Sequence, residues 1–557
     1  MAEKTGERSP LSKRGRGRLD RLTTGRLALL LGGFAGLLVV LTLGGPGLTI
    51  DEPLDVRPGR NYLSLLRAHG WRFFSEEVVE RTYRDNAEHP PLGRWLLGIA
   101  STLGEPFQAQ LGDGDPTGLY VGAGRLAPAA AFALTVGLVV AVAGRRGGRA
   151  AGCAAGIALL LMPRVFAHAH LAALDTFIMF FWTLALVVGN RAISSRRPAW
   201  AGAGAGLFWG LALLTKIHAW LLPPPLGAWV LLRMGARRGG IFLISWTCAG
   251  LGLFWIGWPW LWFKTWSRLG DYLGTTGASR AVIHALYFGQ VYADRDLPWH
   301  YPWFYFAVTV PIGLHLLGIV GTVRAWRGRK VDPFPLLLLG SIGLFLLLFS
   351  TRTPVYDGER LFLNVFPAWA ILIGLGFGAI WGTWPRLSAR GVLLAFLFVQ
   401  GYGMVTLHPF GLSYYNALVG GLPGAERLGL ELTYWNDPVD RVLLDRLAAE
   451  MAPKETASLA PTLYPGQGIM TTTAPLARRD VILQDQEGAD RSEWVVVSRR
   501  EAYWQPSLRK RIEVGDGRLV LTRSRQGVWL SAIWHFPVPP KIAKRTQFPG
   551  RLPKDVP

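Results

Sequence analysis

A carboxylate pair, Asp51-Glu52, stands directly after the first long apolar run of the chain. Two carboxylates at a membrane surface suit general-base chemistry, one taking a proton while its neighbour orients or binds. A polar helix end marking the interface explains the same pair without chemistry. Within the apolar runs only Arg125 and Asp175 are ionised, and Lys216 sits at the junction of two runs. A charge at the bilayer centre costs at least ~3 kcal/mol, so each is a candidate site residue. Snorkelling accounts equally well for Arg125 and Lys216 taken singly, and a buried ion pair for Asp175. Two further segments carry polar groups: EHPPLGRWLLG at 88–98, with His89, and TRTPVYDGERLFLNVFPAW, with Arg352, Tyr356, Asp357, Glu359 and Arg360. Arginine in the second can grip a phosphate bidentately; the alternative is an ordinary short loop.

The elements that position these residues follow from hydropathy. Half the residues are hydrophobic, 17% are charged, and mean hydropathy is +0.26. This excludes a disordered chain, a coiled coil and an ordinary soluble enzyme. Runs near the ~20 residues needed to cross a bilayer fall at 27–48, 120–143, 150–163, 168–189, 199–215, 217–232, 240–262, 302–323, 334–350, 361–383 and 391–408. They predict eleven spans. With residue 1 in the cytoplasm, the inner loops collect fifteen basic residues against Asp332 alone, as the positive-inside bias requires. The short run 150–163 is needed to keep those clusters on one side.

The chain thus reads as a polytopic α-helical membrane protein in three parts. Residues 1–26 form a basic cytoplasmic tail, 27–408 the transmembrane domain with its outer loop 49–119, and 409–557 a small extracytoplasmic α/β domain. The net charge of +22 would suit nucleic acid, but the eight basic residues of 1–26 have no aromatics among them, so no nucleic-acid partner is expected. The first run is too long for a signal-peptide core and no small-residue cleavage site follows, so an uncleaved span is expected. Loop 49–119 holds eleven acidic and seven basic residues, and NYLSLLRAHGWRFFSEEVVERTYR within it reads as one or two surface helices. The aromatic segment 287–306 suits either an interfacial belt or a floor for a sugar or lipid. In the tail, DPVDRVLLDRLAAEM reads as an amphipathic helix, and SEWVVVSRR and GRLVLTRSRQGVWLSAIWHF as strands around a turn. The last dozen residues read as loose. There is no internal repeat and no GxGxxG, Walker A or HExxH pattern, and Cys153 and Cys248 both lie in apolar runs. No disulfide framework or CxxC metal site is therefore expected.

In this order, Asp51-Glu52, EHPPLGR, GAGRLAPAA around Arg125, HAHLAALDTF around Asp175 and LLTKIHAWLLPP around Lys216 resemble the GT-C membrane glycosyltransferases. The nearest group is family 39, which contains the protein O-mannosyltransferases and the aminoarabinose lipid A transferases. HPPLGR is similar to the HPPLGK of the O-mannosyltransferases. VYDGERLFLNVFPAW and residues 412–437 look like segments of bacterial members. The segment ELTYWND, with Asp437, stands where a DSN-x-DWG-like run is more usual. The resemblance covers about residues 27–440 and implies inverting transfer of a sugar from a polyprenyl phosphate on the outer face. The acceptor would be a protein, lipid or glycan, and the enzyme would sit in the cell membrane. Asp51 then resembles the catalytic base, Glu52 its neighbour, and Asp175 a second carboxylate near the acceptor. Arg125, Lys216 and Arg360, with His89 and Tyr356, would bind the lipid phosphate. No cofactor is fixed by these residues; a divalent metal stays open, its ligands unknown. The alternative function is a transporter or flippase of lipid-linked sugars, for which large outer loops and the lack of a repeat speak poorly.

Overall fold

The computed structural model describes residues 10–83, 89–107, 121–274, 282–462, 482–489, 491–515 and 517–536. The start of the basic tail and the final dozen residues lie outside the described residues. The body is a bundle of apolar helices. Helix Pro10–Leu41 exposes Leu29, Leu30 and Leu41, the outward apolar face expected of a lipid-facing helix. The first expected span is therefore cut short. The chain leaves the helix after Leu41 and runs through LGGPGLTI to a new helix at Asp51, because the glycines and Pro46 cannot prolong it.

Among the described residues, five helices are long and apolar enough to cross a membrane, and a sixth if one bent pair counts as a single span. One of the five, Val121–Leu160, is two antiparallel legs. The chain reverses at Gly148, whose φ of 84° breaks the helix, and Gly144 then lies against Gly152 and Val140 against Gly156. The expected short span after Arg149 is the second leg. Other expected spans fall on helices of 12 to 18 residues: Asp175–Ala192, Pro198–Leu213, Pro223–Met234 and Phe334–Leu348. They are shorter than a bilayer because their ends pass into irregular backbone. Such backbone is tolerated at membrane depth only where protein buries it, and here it carries the polar residues. The expected span 302–323 is bent by 109° between Tyr301–Thr309 and Ile312–Arg327, where Pro311 removes a backbone donor and restricts Val310.

The first loop begins with helix Asp51–His69, continues through a 3₁₀ turn Gly70–Phe74, and ends with helix Glu76–Tyr83. Helix Leu92–Gly104 follows Pro90-Pro91. Residues 284–293 form a hairpin of strands β1 (His284–Tyr287) and β2 (Gln290–Ala293). The aromatics of this segment divide: Phe288, Trp299 and Trp303 are exposed, while the tyrosines turn inward. Tyr287, Tyr301 and Tyr305 are buried on one another, and the Tyr301 hydroxyl accepts from Gly358 N at 2.9 Å.

The C-terminal part is an α/β module. Helix Arg441–Glu450 is capped by Asp440, whose carboxylate accepts from Leu443 N at 3.0 Å. It packs on a five-stranded sheet of β3 (Thr456–Ala460), β4 (Ile482–Gln484), β5 (Trp494–Ser498), β6 (Arg518–Arg525) and β7 (Val528–His535), in the order β4-β3-β5-β7-β6. The β4-β3-β5 pairs are parallel and the β6-β7 hairpin is antiparallel. Residues 411–437, between this module and the last apolar helix, are woven into the helical body. Asn416, for example, donates to Ala307 and Val310 carbonyls at 2.7 Å.

The hairpin at Gly148 generates a test. A Cβ at Gly152 would meet Val140 O at 2.9 Å, whereas one at Gly33 meets open space. Gly152→Leu should destabilise the protein by about 1–3 kcal/mol through overpacking and lower its thermal midpoint in detergent. Gly33→Leu should leave that midpoint unchanged. Equal midpoints for both variants would contradict the paired legs.

Candidate functional site

Four chain segments converge at one end of the bundle. Asp51 and Asp175 are each the first residue of a helix, Asp51–His69 and Asp175–Ala192, where the helix dipole favours an ionised carboxylate. Lys216 occupies extended backbone between helix Pro198–Leu213 and the 3₁₀ turn Ile217–Leu221. Arg360 opens the 3₁₀ turn Arg360–Phe362, just before helix Val365–Thr383. Lys216 Nζ donates to Asp175 Oδ1 at 2.6 Å. Arg360 reaches three carboxylates: Nη2 donates to Asp51, Nη1 to Asp357 at 3.0 Å, and Nε to Asp175 at 3.5 Å. Its guanidinium also lies over Trp435, 4.0 Å from the ring centroid, with the Tyr356 ring at 6.0 Å.

The turn that presents Arg360 is held from every side. Asp357 and Gly358 both have positive φ, 56° and 65°. A Cβ on Gly358 would meet Arg164 Nη1 at 2.8 Å, so only glycine fits there. The non-glycine Asp357 keeps its left-handed backbone because its side chain is pinned by Arg360 and by Arg500, whose Nη2 donates at 2.9 Å. Next to Arg360, Glu359 accepts from the buried Arg164 at 2.8 Å. Arg500 comes from the C-terminal module and also donates to the Tyr434 carbonyl. The sheet domain therefore contributes directly to the site.

Arg125 does not join Lys216 and Arg360. Its five N–H groups are all used: Nε and Nη2 on the two oxygens of Glu52 at 2.6 and 2.7 Å, and the rest on the carbonyls of Leu43, Pro46 and Gly47. Glu52 is fully buried and also accepts from Thr49 N and Ala172 N, both at 2.8 Å. Arg125 is thus seated on Glu52, while Lys216 and Arg360 pair with Asp175, Asp51 and Asp357, and the Glu52–Arg125 pair joins the first loop to the helix starts behind the site. An arginine inside an apolar run must find such partners, since burying it unpaired is prohibitive.

His89 lies beside the site on the loop before helix Leu92–Gly104, tied to the Lys216 turn by Leu92 N donating to Leu214 O at 2.9 Å. Burial pushes its imidazole well below the ordinary value, and the cations of Arg94 and Lys216 add to that, so it is neutral. Its Nδ1 is buried without a hydrogen-bond partner among the described residues. Sequence reasoning passed over Asp55 and Arg94, a buried pair at 3.0 Å one turn along the helix from Asp51. Burial raises Asp55 to about 6 against the pull of Arg94. The i, i+4 spacing of Asp51 and Asp55 was the available signal. Arg164 was also legible, as an arginine between two apolar runs on the acidic side. Arg500 had no such signal. Among the described residues no group of three or more His, Cys, Asp and Glu side chains is arranged to hold a metal ion.

Comparison with known proteins places residues 88–263 in the sequence model of the dolichyl-phosphate-mannose-protein mannosyltransferase family. That stretch contains His89, Arg94, Arg125, Asp175 and Lys216, and excludes Asp51 and Arg360. No curated protein sequence matches. Among solved structures, the chain is similar to ArnT from Cupriavidus metallidurans bound to undecaprenyl phosphate, with 16% identity, 91% of this chain and 97% of that one covered, and a TM-score of 0.47. The apo state of the same protein gives 15%, 92%, 98% and 0.48. The Archaeoglobus fulgidus oligosaccharyltransferase, in complex with Zn and sulfate, gives 12% identity, 91% and 73% coverage, and a TM-score of 0.43. The family match bears out the resemblance to GT-C transferases of the family 39 kind.

Asp437 is buried at the edge of the site and accepts from Thr433 Oγ1 at 3.0 Å. Burial raises its carboxyl from 3.8 to about 7. Between those values the folded chain holds a proton that the unfolded chain has lost, so this group makes stability fall as pH rises through the window. Asp437→Asn keeps the acceptor and cannot ionise. Thermal midpoints should therefore drop less between pH 5 and 7 for the variant than for the wild type. Parallel pH profiles would show that Asp437 ionises normally in the folded protein.

Proposed function

We propose that this multi-pass membrane glycosyltransferase of the GT-C kind moves a sugar from a polyprenyl phosphate to an acceptor hydroxyl at the outer face, with inversion. The observation that carries the reading is the convergence of Asp51, Asp175, Lys216 and Arg360 from four separate segments at one bundle end. Asp51 is the base. Its side chain is 25% exposed, against 3% for Asp175, so an acceptor can reach it. Asp175 holds Lys216 and Arg360 in place. Arg125 and Glu52 keep the first loop seated behind Asp51.

The donor phosphate competes with Asp51 for Arg360. As it draws the guanidinium and Lys216 onto its oxygens, Asp51 loses its partner and becomes free to accept a proton. The acceptor oxygen then attacks the anomeric carbon, its proton passes to Asp51, and the bond from that carbon to the phosphate oxygen breaks with its electron pair on the phosphate. Charge balances throughout. Asp51, Asp175 and Asp357 face Lys216, Arg360 and Arg500, three against three. The leaving phosphate gains one negative charge at the moment that protonation removes one from Asp51. A site built of fixed charges stabilises such a transfer without reorganising.

The acceptor is a protein, lipid or glycan hydroxyl in the aqueous phase beside the module. Eleven spans, an inner N-terminus and an outer C-terminal domain go with this reading, supported by the fifteen-to-one charge count of the inner loops. Reporter fusions after Arg146, Arg197, Arg237, Arg327 and Arg386 should report cytoplasm, and one at Gln467, which lies outside the described residues, the outside. A cytoplasmic signal at Gln467 would overturn the orientation.

For the chemistry, Asp51→Asn should lower transfer from a polyprenyl-phosphate sugar by about 10²–10⁴-fold, the usual worth of a positioned base, with donor binding retained. Lys216→Ala should act mainly on KM and Arg360→Ala mainly on kcat, because Arg360 alone bridges the phosphate position and the base. Normal turnover in Asp51→Asn would move the base to Asp175.

A further inference from the structure

At the end of the bundle away from Asp51 and Arg360 lies an open cleft of about 760 Å³. Helix Val365–Thr383 fixes its distance. Ala379 lines the cleft, and 14 residues separate it from Val365, about 21 Å at 1.5 Å per residue. The cleft lies between this helix, the far end of Ile312–Arg327, the turn that follows it, and Arg146 beside the Gly148 reversal. Its size falls within the range of ligand sites.

Its walls are of two kinds. At the bottom, Arg146, Arg324 and Arg327 face one carboxylate, Asp332. Arg146 is committed: its Nε pairs with Asp332 at 3.0 Å and its guanidinium lies over Phe334, 3.9 Å from the centroid. Arg324 and Arg327 are exposed and form no ion pair with a described carboxylate. Above them on the same helix, Ile319, Val320 and Val323 are exposed apolar residues. Ile319, Val323 and Arg327 are spaced i, i+4, i+8, and Val320 lies one turn before Arg324, so one helix face turns from apolar to basic. At Gly321, which also lines the cleft, the helix packs closely on Leu372 of helix Val365–Thr383. Arginines that merely complemented the helix C-terminal dipole would not need to line a cleft of this size.

From this geometry we infer a binding site for an anionic phospholipid of the leaflet opposite the catalytic site, its phosphate on Arg324 and Arg327 and its acyl chain along Ile319, Val320 and Val323. The occupant is set by shape and charge together. A basic pocket between membrane helices suits an anionic headgroup, and a free phosphate would leave the apolar stripe bare. The inference depends on the chain lying in a membrane and is independent of the transfer chemistry.

The test uses the full chain in mild detergent and native mass spectrometry with three probes: phosphatidylglycerol, phosphatidylcholine with the same acyl chains, and inorganic phosphate. Phosphatidylglycerol should stay bound to the wild type while phosphatidylcholine stays at background. Arg324→Gln/Arg327→Gln should weaken phosphatidylglycerol binding roughly tenfold or more, the loss of two surface-held charges. Val320→Trp, which narrows the acyl-chain path and leaves the charge intact, should also weaken it. Both variants should keep the wild-type thermal midpoint without lipid, since the changed side chains are exposed. Undiminished phosphatidylglycerol binding in either variant, or equal binding of phosphatidylcholine, overturns the site. Displacement of phosphatidylglycerol by inorganic phosphate at equal concentration overturns the lipid as occupant.

Discussion

The structure at its acidic end depends on keeping a nearly buried guanidinium paired. Arg360 is 10% exposed, and desolvating it alone would cost several kcal/mol. Asp51, Asp175 and Asp357 offset that cost, and each draws a different part of the chain toward the same point. Asp51 brings the first loop, Asp175 the start of an apolar helix together with Lys216, and Asp357 the C-terminal module through Arg500. Removing one partner would leave the others with unbalanced charge, so the cluster acts as a unit.

Around it stand three other buried pairs that do not share its acceptors: Glu52 with Arg125, Asp55 with Arg94, and Glu359 with Arg164. Each lies within a few residues of a member of the cluster: Glu52 beside Asp51, Asp55 one helical turn from it, and Glu359 beside Arg360. Buried pairs of this kind fix backbone position. The cluster itself remains open to exchange, because Asp51 is part exposed and Arg360 divides its donors among three carboxylates. In the proposed reading a donor phosphate takes the place of one of those carboxylates, in a site of fixed charges that would stabilise a leaving group.

Much of this was legible in the sequence, for physical reasons. An ionised residue in an apolar run must either be paired or reach water, so Asp175 and Arg125 stood out as candidates, and Lys216 and Arg360 followed from their placement at run boundaries. The chain-wide alternation of basic and acidic loops put these residues at one end. Composition could not say which cation met which anion. Arg125 looked equivalent to Lys216 by sequence, yet five donors on Glu52 and three carbonyls separate it from the cluster. Arg500 was invisible because its partner lies 143 positions away and its own segment reads as an ordinary strand end. The helix lengths were overestimated for a related reason. Hydropathy counts residues, whereas the helices begin or stop at the site: Asp175 opens one, Lys216 lies in extended backbone after another, and Arg360 sits in a 3₁₀ turn before a third.

The central claim is that Lys216 and Arg360 hold the donor phosphate while Asp51 faces the acceptor. The most direct measurement is an experimental structure of the full chain with a polyprenyl-phosphate sugar bound. The account predicts phosphate oxygens within charge-assisted hydrogen-bond distance, ~2.8 Å, of both Lys216 and Arg360, with Asp51 released from Arg360 and turned toward the anomeric carbon. A phosphate seated elsewhere, with the Arg360–Asp51 pair intact, would contradict it.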